Sequence, residues 1–203
     1  MEETEDQLRT MCDLTDEDHN LIDCCKAEKR RIELLSVRAL LKTVGIRQTI
    51  HYNDRKPYID EGYISISHSA NIAAIIFSHD FPVGIDVETI SPRIRRIATR
   101  AFSDTEIATA NDELEKLTIL WNCKECVFKL ANDEGIDFRE MIKVNLPPSM
   151  QTPEPDVAKS SRSIKGWQNE KIEAYLTKSG QTRHFSLSTI KIEGNTAVFG
   201  KEI

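Results

Sequence analysis

Four short runs of β-branched or alternating residues, at 46–52, 63–67, 72–78 and 83–88, follow one another with only turn clusters between them. Helical stretches stand on either side of these strands instead of alternating with them, which predicts an α+β fold with mainly antiparallel sheet. The turns at 53–57 and 78–82 each close on a proline, Pro57 and Pro82, which keeps the preceding residue out of the helical region. Runs 72–78 and 83–88 are close enough to predict a hairpin. Upstream, residues 15–44 contain neither Pro nor Gly, and Ile32, Leu35 and Ala39 recur at helical spacing. Gly45 then stands where a helix ends. This predicted helix is cationic, with Lys26, Lys29, Arg30, Arg31, Arg38 and Lys42. Downstream, Ser103 and Glu106 have the spacing of a capping box. A long helix is predicted over 112–132, then strands at 141–146, 172–177, 185–190 and 197–199, with a Pro/Ser-containing loop at 147–163.

A chain of 203 residues suits one large domain or two small ones. No apolar run approaches the ~20 residues a membrane span requires. The first residues are acidic where a signal peptide is basic and then apolar. The 27 Lys and Arg stand against 33 Asp and Glu, a net charge of −6, which argues against a surface that coats nucleic acid. Five cysteines make an odd number, so a disulfide framework is not predicted. The expectation is a reduced, soluble, cytoplasmic protein with no membrane and no nucleic-acid partner.

Three segments carry candidate chemistry. Along a strand at 83–88, Val83, Ile85 and Val87 face one side while Gly84, Asp86 and Glu88 face the other. Two carboxylates so placed repel, and a divalent cation relieves that; a solvated acidic strand face is the plainer reading. On the helix, Trp121, Glu125 and Lys129 share one stripe, with Lys124 beside it. A surface Glu–Lys pair is the plainer reading there, although Trp121, Val127, Phe128 and Leu130 suggest a covered helix. The third is Tyr63-Ile-Ser-Ile-Ser-His-Ser69, whose histidine and serines offer donors to a phosphate or satisfy local structure.

Taken together and in order, these segments resemble the 4′-phosphopantetheinyl transferase superfamily, in its longer class typified by surfactin-synthetase activators. The matching motifs are Gly84-Ile-Asp-Val-Glu88 and, about 40 residues on, Trp121-Asn-Cys-Lys-Glu-Cys-Val-Phe-Lys129. Arg55-Lys-Pro-Tyr58, Ile66-Ser-His-Ser69 and the basic helix ending Arg38-Ala-Leu-Leu41 add to the likeness. The resemblance implies a monomeric pseudo-dimer of two similar α+β halves, 1–90 and 91–203, with the nucleotide between them. The first half would hold the basic helix and the coenzyme A-binding strands, and the second the Lys-Glu helix. The implied reaction moves the phosphopantetheine arm of coenzyme A to a serine of an acyl or peptidyl carrier protein and releases 3′,5′-ADP, in fatty-acid or secondary-metabolite synthesis. By resemblance, Asp86, Glu88 and Glu125 hold Mg²⁺, Glu125 also serves as base, and Lys129 assists the leaving phosphate. Asp86, Glu125 and Lys129 are then the catalytic set. Lys124 is implied at the pyrophosphate, Ser67 and His68 at the 3′-phosphate, Lys56 at the nucleotide, and Arg30 and Arg38 as further phosphate ligands. Arg93, Arg95, Arg96 and Arg100 are candidates for docking an acidic carrier.

Two departures qualify the match. Longer members begin with a strand that the acidic segment 1–13 does not resemble, which predicts an N-terminal half lacking it. Cys123 and Cys126 form a C-x-x-C around the Lys-Glu pair, which raises a zinc or thiol-redox protein as a rival. A homologue that binds coenzyme A and carrier but catalyses weakly is the other alternative.

Overall fold

The computed structural model describes residues 2–54, 56–151, 170–192 and 194–203. The chain divides after Pro82 into two units. No described helix is long and apolar enough to cross a membrane.

The first unit begins with two short helices, α1 (Glu5–Met11) and α2 (Asp16–Asp23), each started by a capping box, Thr4 with Gln7 and Thr15 with Asp18. The stretch without Pro or Gly is therefore not one helix: α3 (Glu28–Thr43) follows after a break. The Arg31 guanidinium accounts for the break, because its Nη1 donates to the carbonyls of Cys25 at 2.9 Å and Lys26 at 3.3 Å. Gly45, at φ +79°, closes α3 as expected, and the Ile46 amide returns to the Leu41 carbonyl. Leu34, Leu35 and Ala39 of α3 pack with Leu8 and Ile22. Val37 and Leu41 pack instead with Ile50, Ile59 and Ile64.

Strands β1 (His51–Asn53) and β2 (Lys56–Tyr58) form one antiparallel ribbon, and β3 (Tyr63–Ser69) and β4 (Ile72–Ser78) another. The predicted hairpin between 72–78 and 83–88 does not form. A two-residue turn brings Ile72 opposite Ser69, so β4 pairs with β3. After β4, the Ser78 hydroxyl accepts the Asp80 and Phe81 amides and bends the chain away.

The second unit opens with β5 (Gly84–Thr89), so the motif strand belongs here and not to a half ending at residue 90. A 3₁₀ turn (Pro92–Ile94), α4 (Arg95–Ala101), α5 (Asp104–Ala110) and α6 (Leu114–Ala131) follow. The capping box predicted at Ser103 and Glu106 is present. Then come β6 (Ile142–Asn145), a helical turn α7 (Pro148–Gln151), β7 (Lys171–Lys178), β8 (Gln181–Ile192) and β9 (Asn195–Glu202). Of the predicted loop at 147–163, residues 152–163 lie outside the described residues. The sheet order is β5-β9-β8-β7-β6, antiparallel throughout. Leu117, Leu120, Cys123 and Val127 of α6 join Phe102, Ile142, Ile172, Phe185 and Val198 in its core. The α+β class with antiparallel sheet is what the sequence predicts.

Candidate active site

Strand alternation sets Gly84, Asp86 and Glu88 on one face of β5, opposite Gly200, Val198 and Thr196 of β9. Helix α6 lies against that face at close range. A Cβ at Gly84 would come within 2.8 Å of the Cys126 carbonyl oxygen and of Leu130 Cγ, so the first motif residue has to be glycine. A second tie fixes the helix along the sheet. Asn122 Nδ2 donates to the Thr196 carbonyl at 2.7 Å and to its Oγ1 at 3.0 Å, and Thr196 is the cross-strand partner of Glu88.

With β5 and α6 so close, four ionisable groups fall into one electrostatic cluster. Asp86 is buried, only 5% exposed, so the solvated acidic face does not describe it. Lys129 Nζ donates to Asp86 Oδ1 at 2.8 Å and to the Ile85 carbonyl at 2.8 Å. Glu125 is partly buried, and burial pushes its carboxyl up to about 7. Asp86 and Glu88 add to that rise, while the Lys129 ammonium opposes it. Asp86 and Glu88 thus share the electrostatic surroundings of Glu125 with the Lys129 ammonium. Among the described residues, no three His, Cys, Asp or Glu side chains close into a metal-ligand set as they stand. Lys129 supplies a cation at Asp86.

Other expected site residues fall differently. Lys124 is not a pyrophosphate contact. It is fully buried, and its Nζ is held by the Phe138 carbonyl at 2.7 Å, the Ile142 carbonyl at 2.6 Å and Glu106 Oε2 at 2.9 Å. Neither is Arg38 open to a phosphate: its guanidinium is 5% exposed and lies 2.6 Å from Asp18 Oδ1 of α2. Arg30 is exposed and paired with Glu33 at 3.0 Å, as a solvated cationic helix face would be. Lys56 is exposed on β2. Ser67 and His68 are successive residues of β3, so their side chains leave opposite faces of the ribbon; the expected shared phosphate contact through both side chains does not fit that geometry. His68 is on the face that carries Ile64 and Ile66.

The thiol rival loses its chemistry. Cys123 and Cys126 are fully buried in α6, and burial pushes both thiols up, against the thiolate that zinc or redox work requires. Sequence reading missed Glu106 as more than a cap. Its Oε2 accepts the Ser103 amide and Lys124, while its Oε1 accepts the Val144 amide at 2.9 Å. The capping-box spacing was visible, but partners 18 and more residues away leave no local pattern.

No curated protein matches the chain. Comparison with protein-family models matches residues 82–186, just over half of the chain. That segment runs from β5 through α6 into β8 and contains the whole cluster of Asp86, Glu88, Glu125 and Lys129. The chain belongs to the 4′-phosphopantetheinyl transferase superfamily.

Proposed function

We propose that the protein transfers the 4′-phosphopantetheine moiety of coenzyme A to a serine hydroxyl of an acyl or peptidyl carrier protein and releases 3′,5′-ADP. The reading places it in the cytoplasm, as a monomer of the longer family class with two similar halves. The observation that carries the proposal is Glu125: a carboxyl tuned to about 7, beside a lysine and two further carboxylates, inside the family segment.

In this reaction the serine oxygen forms a bond to the β-phosphorus of coenzyme A as the pyrophosphate P–O bond breaks. The serine proton goes to Glu125, whose proton affinity near neutrality suits a general base. Lys129 exchanges Asp86 for the leaving phosphate and stabilises the charge that develops there. Magnesium suits the donor set, because hard carboxylate oxygens favour a hard divalent cation. Asp86, Glu88 and Glu125 would hold it, and it would supply charge neutralisation at the pyrophosphate. Lys56, with Ser67 or His68, is assigned to the nucleotide and its 3′-phosphate by family likeness. For the carrier, α4 supports a dock. Arg93, Arg96 and Arg100 stand at i, i+3 and i+7, all exposed, with no ion-pair partner among the described residues.

The test is to incubate the protein with coenzyme A, Mg²⁺ and a panel of apo-carriers and weigh each carrier. A phosphopantetheine mass increment on one of them is the expected result. Its absence throughout, with coenzyme A still bound, would favour the weakly catalytic binding protein.

A further inference from the structure

Lys124 stands next to Glu125 in the chain but on another side of α6, and it is buried among structural partners. Its ammonium joins four segments. It pairs with Glu106 of α5, binds the carbonyls of Phe138 and Ile142 at the entry to β6, and lies 5.9 Å from the centre of the buried Phe102 ring. Through Glu106 it also reaches the Ser103 and Val144 amides. Every donor of the ammonium therefore has an acceptor, and none is left for a substrate.

Holding the Phe138 backbone has a consequence on the open side of the helix. The Phe138 ring packs 5.5 Å from Trp121 and 5.4 Å from Phe128, centre to centre. Trp121 and Phe128 are four residues before and three after Glu125, so they flank it along one helix face. The segment carrying Phe138 contains Gly135 at positive φ and follows Asn132 in the left-handed region. Ile136 and Met141 also pack on the core, and Arg139 ties the segment to the Thr99 carbonyl and to Asp104, while Lys124 ties its backbone to α6.

We propose that Lys124, with Glu106, is a positioning residue. It clamps the Phe138 segment to α6, so that the Trp121–Phe138–Phe128 shelf stands fixed on both sides of Glu125. Any effect on transfer is then indirect, through the placement of Glu125, and not through a contact with coenzyme A. This rests on the transferase reading, and the shelf itself is testable without it.

The experiment uses the full chain in a Trp167→Phe background, leaving Trp121 as the sole tryptophan. Lys124→Met and Glu106→Gln are compared with their parent in steady-state transfer, Trp121 emission, acrylamide quenching and thermal melting. For Lys124→Met, kcat falls about tenfold or more while the KM for coenzyme A stays within about twofold. Trp121 emission shifts to the red and becomes more quenchable. Glu106→Gln moves the same quantities in the same direction, although glutamate 106 touches no substrate on any reading. A rise in the KM for coenzyme A at unchanged kcat, with Trp121 unaltered, would return Lys124 to the pyrophosphate and overturn the proposal. If Lys124→Met fails to fold, Glu106→Gln decides: unchanged kcat and unchanged Trp121 emission overturn it. If the parent transfers nothing, the transferase reading fails by itself, and Trp121 emission and quenching still decide whether the clamp holds the shelf.

Discussion

Glu125 is held in the protein against its own charge. A glutamate in the unfolded chain releases its proton near 4.5, whereas in the folded protein it keeps it to about 7. Between those values the folded state binds more protons than the unfolded one, so stability falls as pH rises through the window. Above it the whole penalty is present. Glu125→Gln removes the buried charge and its repulsion by Asp86 and Glu88. The variant is expected to unfold at higher urea than the parent at about pH 8, by about 1–3 kcal/mol, and to show no gain at about pH 4. It should also lose transfer. A variant equally stable at both pH values would remove the electrostatic account of the site. The same charge balance predicts a metal effect that is readable without turnover. Adding Mg²⁺ near pH 7 should release protons, and at about pH 9 it should release none, as calorimetry in buffers of differing ionisation enthalpy would show. Cys123 provides the contrast: it is buried, kept protonated and remote from this chemistry, so Cys123→Ala should leave transfer near the parent rate while Asp86→Ala abolishes it.

At the level of elements, the contact between β5 and α6 sets how far Asp86 stands from Glu125 and Lys129. Gly84→Ala places a methyl group against the Cys126 carbonyl and Leu130, and a main-chain carbonyl cannot turn aside as a side chain does. The helix must move off the strand. The expected result is a loss of about 1–3 kcal/mol in urea unfolding together with a fall in transfer; a Gly84→Ala protein with parental stability and rate would mean that the spacing does not matter. Much of this layer was legible in the sequence, because it rests on local rules. Period-two alternation put Asp86 and Glu88 together, the capping box placed the start of α5, and the stripe on α6 aligned Glu125 with Lys129. The failures concern partners distant in sequence. The hairpin was misassigned because proximity favoured 83–88 as the partner of β4, while the strand that pairs with β5 lies at the far end of the chain. The break between α2 and α3 depends on Arg31 reaching back to two carbonyls, which no Pro or Gly marks. Lys124 was misread for a related reason: the motif gives its identity, but only the fold shows that Glu106 and two carbonyls surround it.

For the whole molecule, the charge distribution matters more than the total. A net charge of −6 repels a polyanionic substrate and an acidic partner alike at long range, so attraction must come from local groups. On the 3₁₀ turn and α4, Arg93, Arg96 and Arg100 stand exposed along one stripe, whereas Arg95 is held by Asp112 at 2.7 Å. With no ion-pair partner among the described residues, Arg93, Arg96 and Arg100 form a positive surface that the proposed dock would offer to an acidic helix of a carrier. Such a surface acts mainly on encounter, and screening by salt weakens it over a Debye length of about 8–10 Å at ordinary ionic strength. Reversing two of the three charges, Arg96→Glu with Arg100→Glu, should therefore raise the KM for the carrier about tenfold at low salt and leave the KM for coenzyme A unchanged. The difference from the parent should shrink as salt is raised, because both proteins then meet the carrier without steering. Arg95→Ala is the control, since its charge is already answered by Asp112; its effect on the carrier KM should be smaller than that of the double reversal. Equal effects of the two changes, or a rise in the coenzyme A KM instead, would move the dock away from α4.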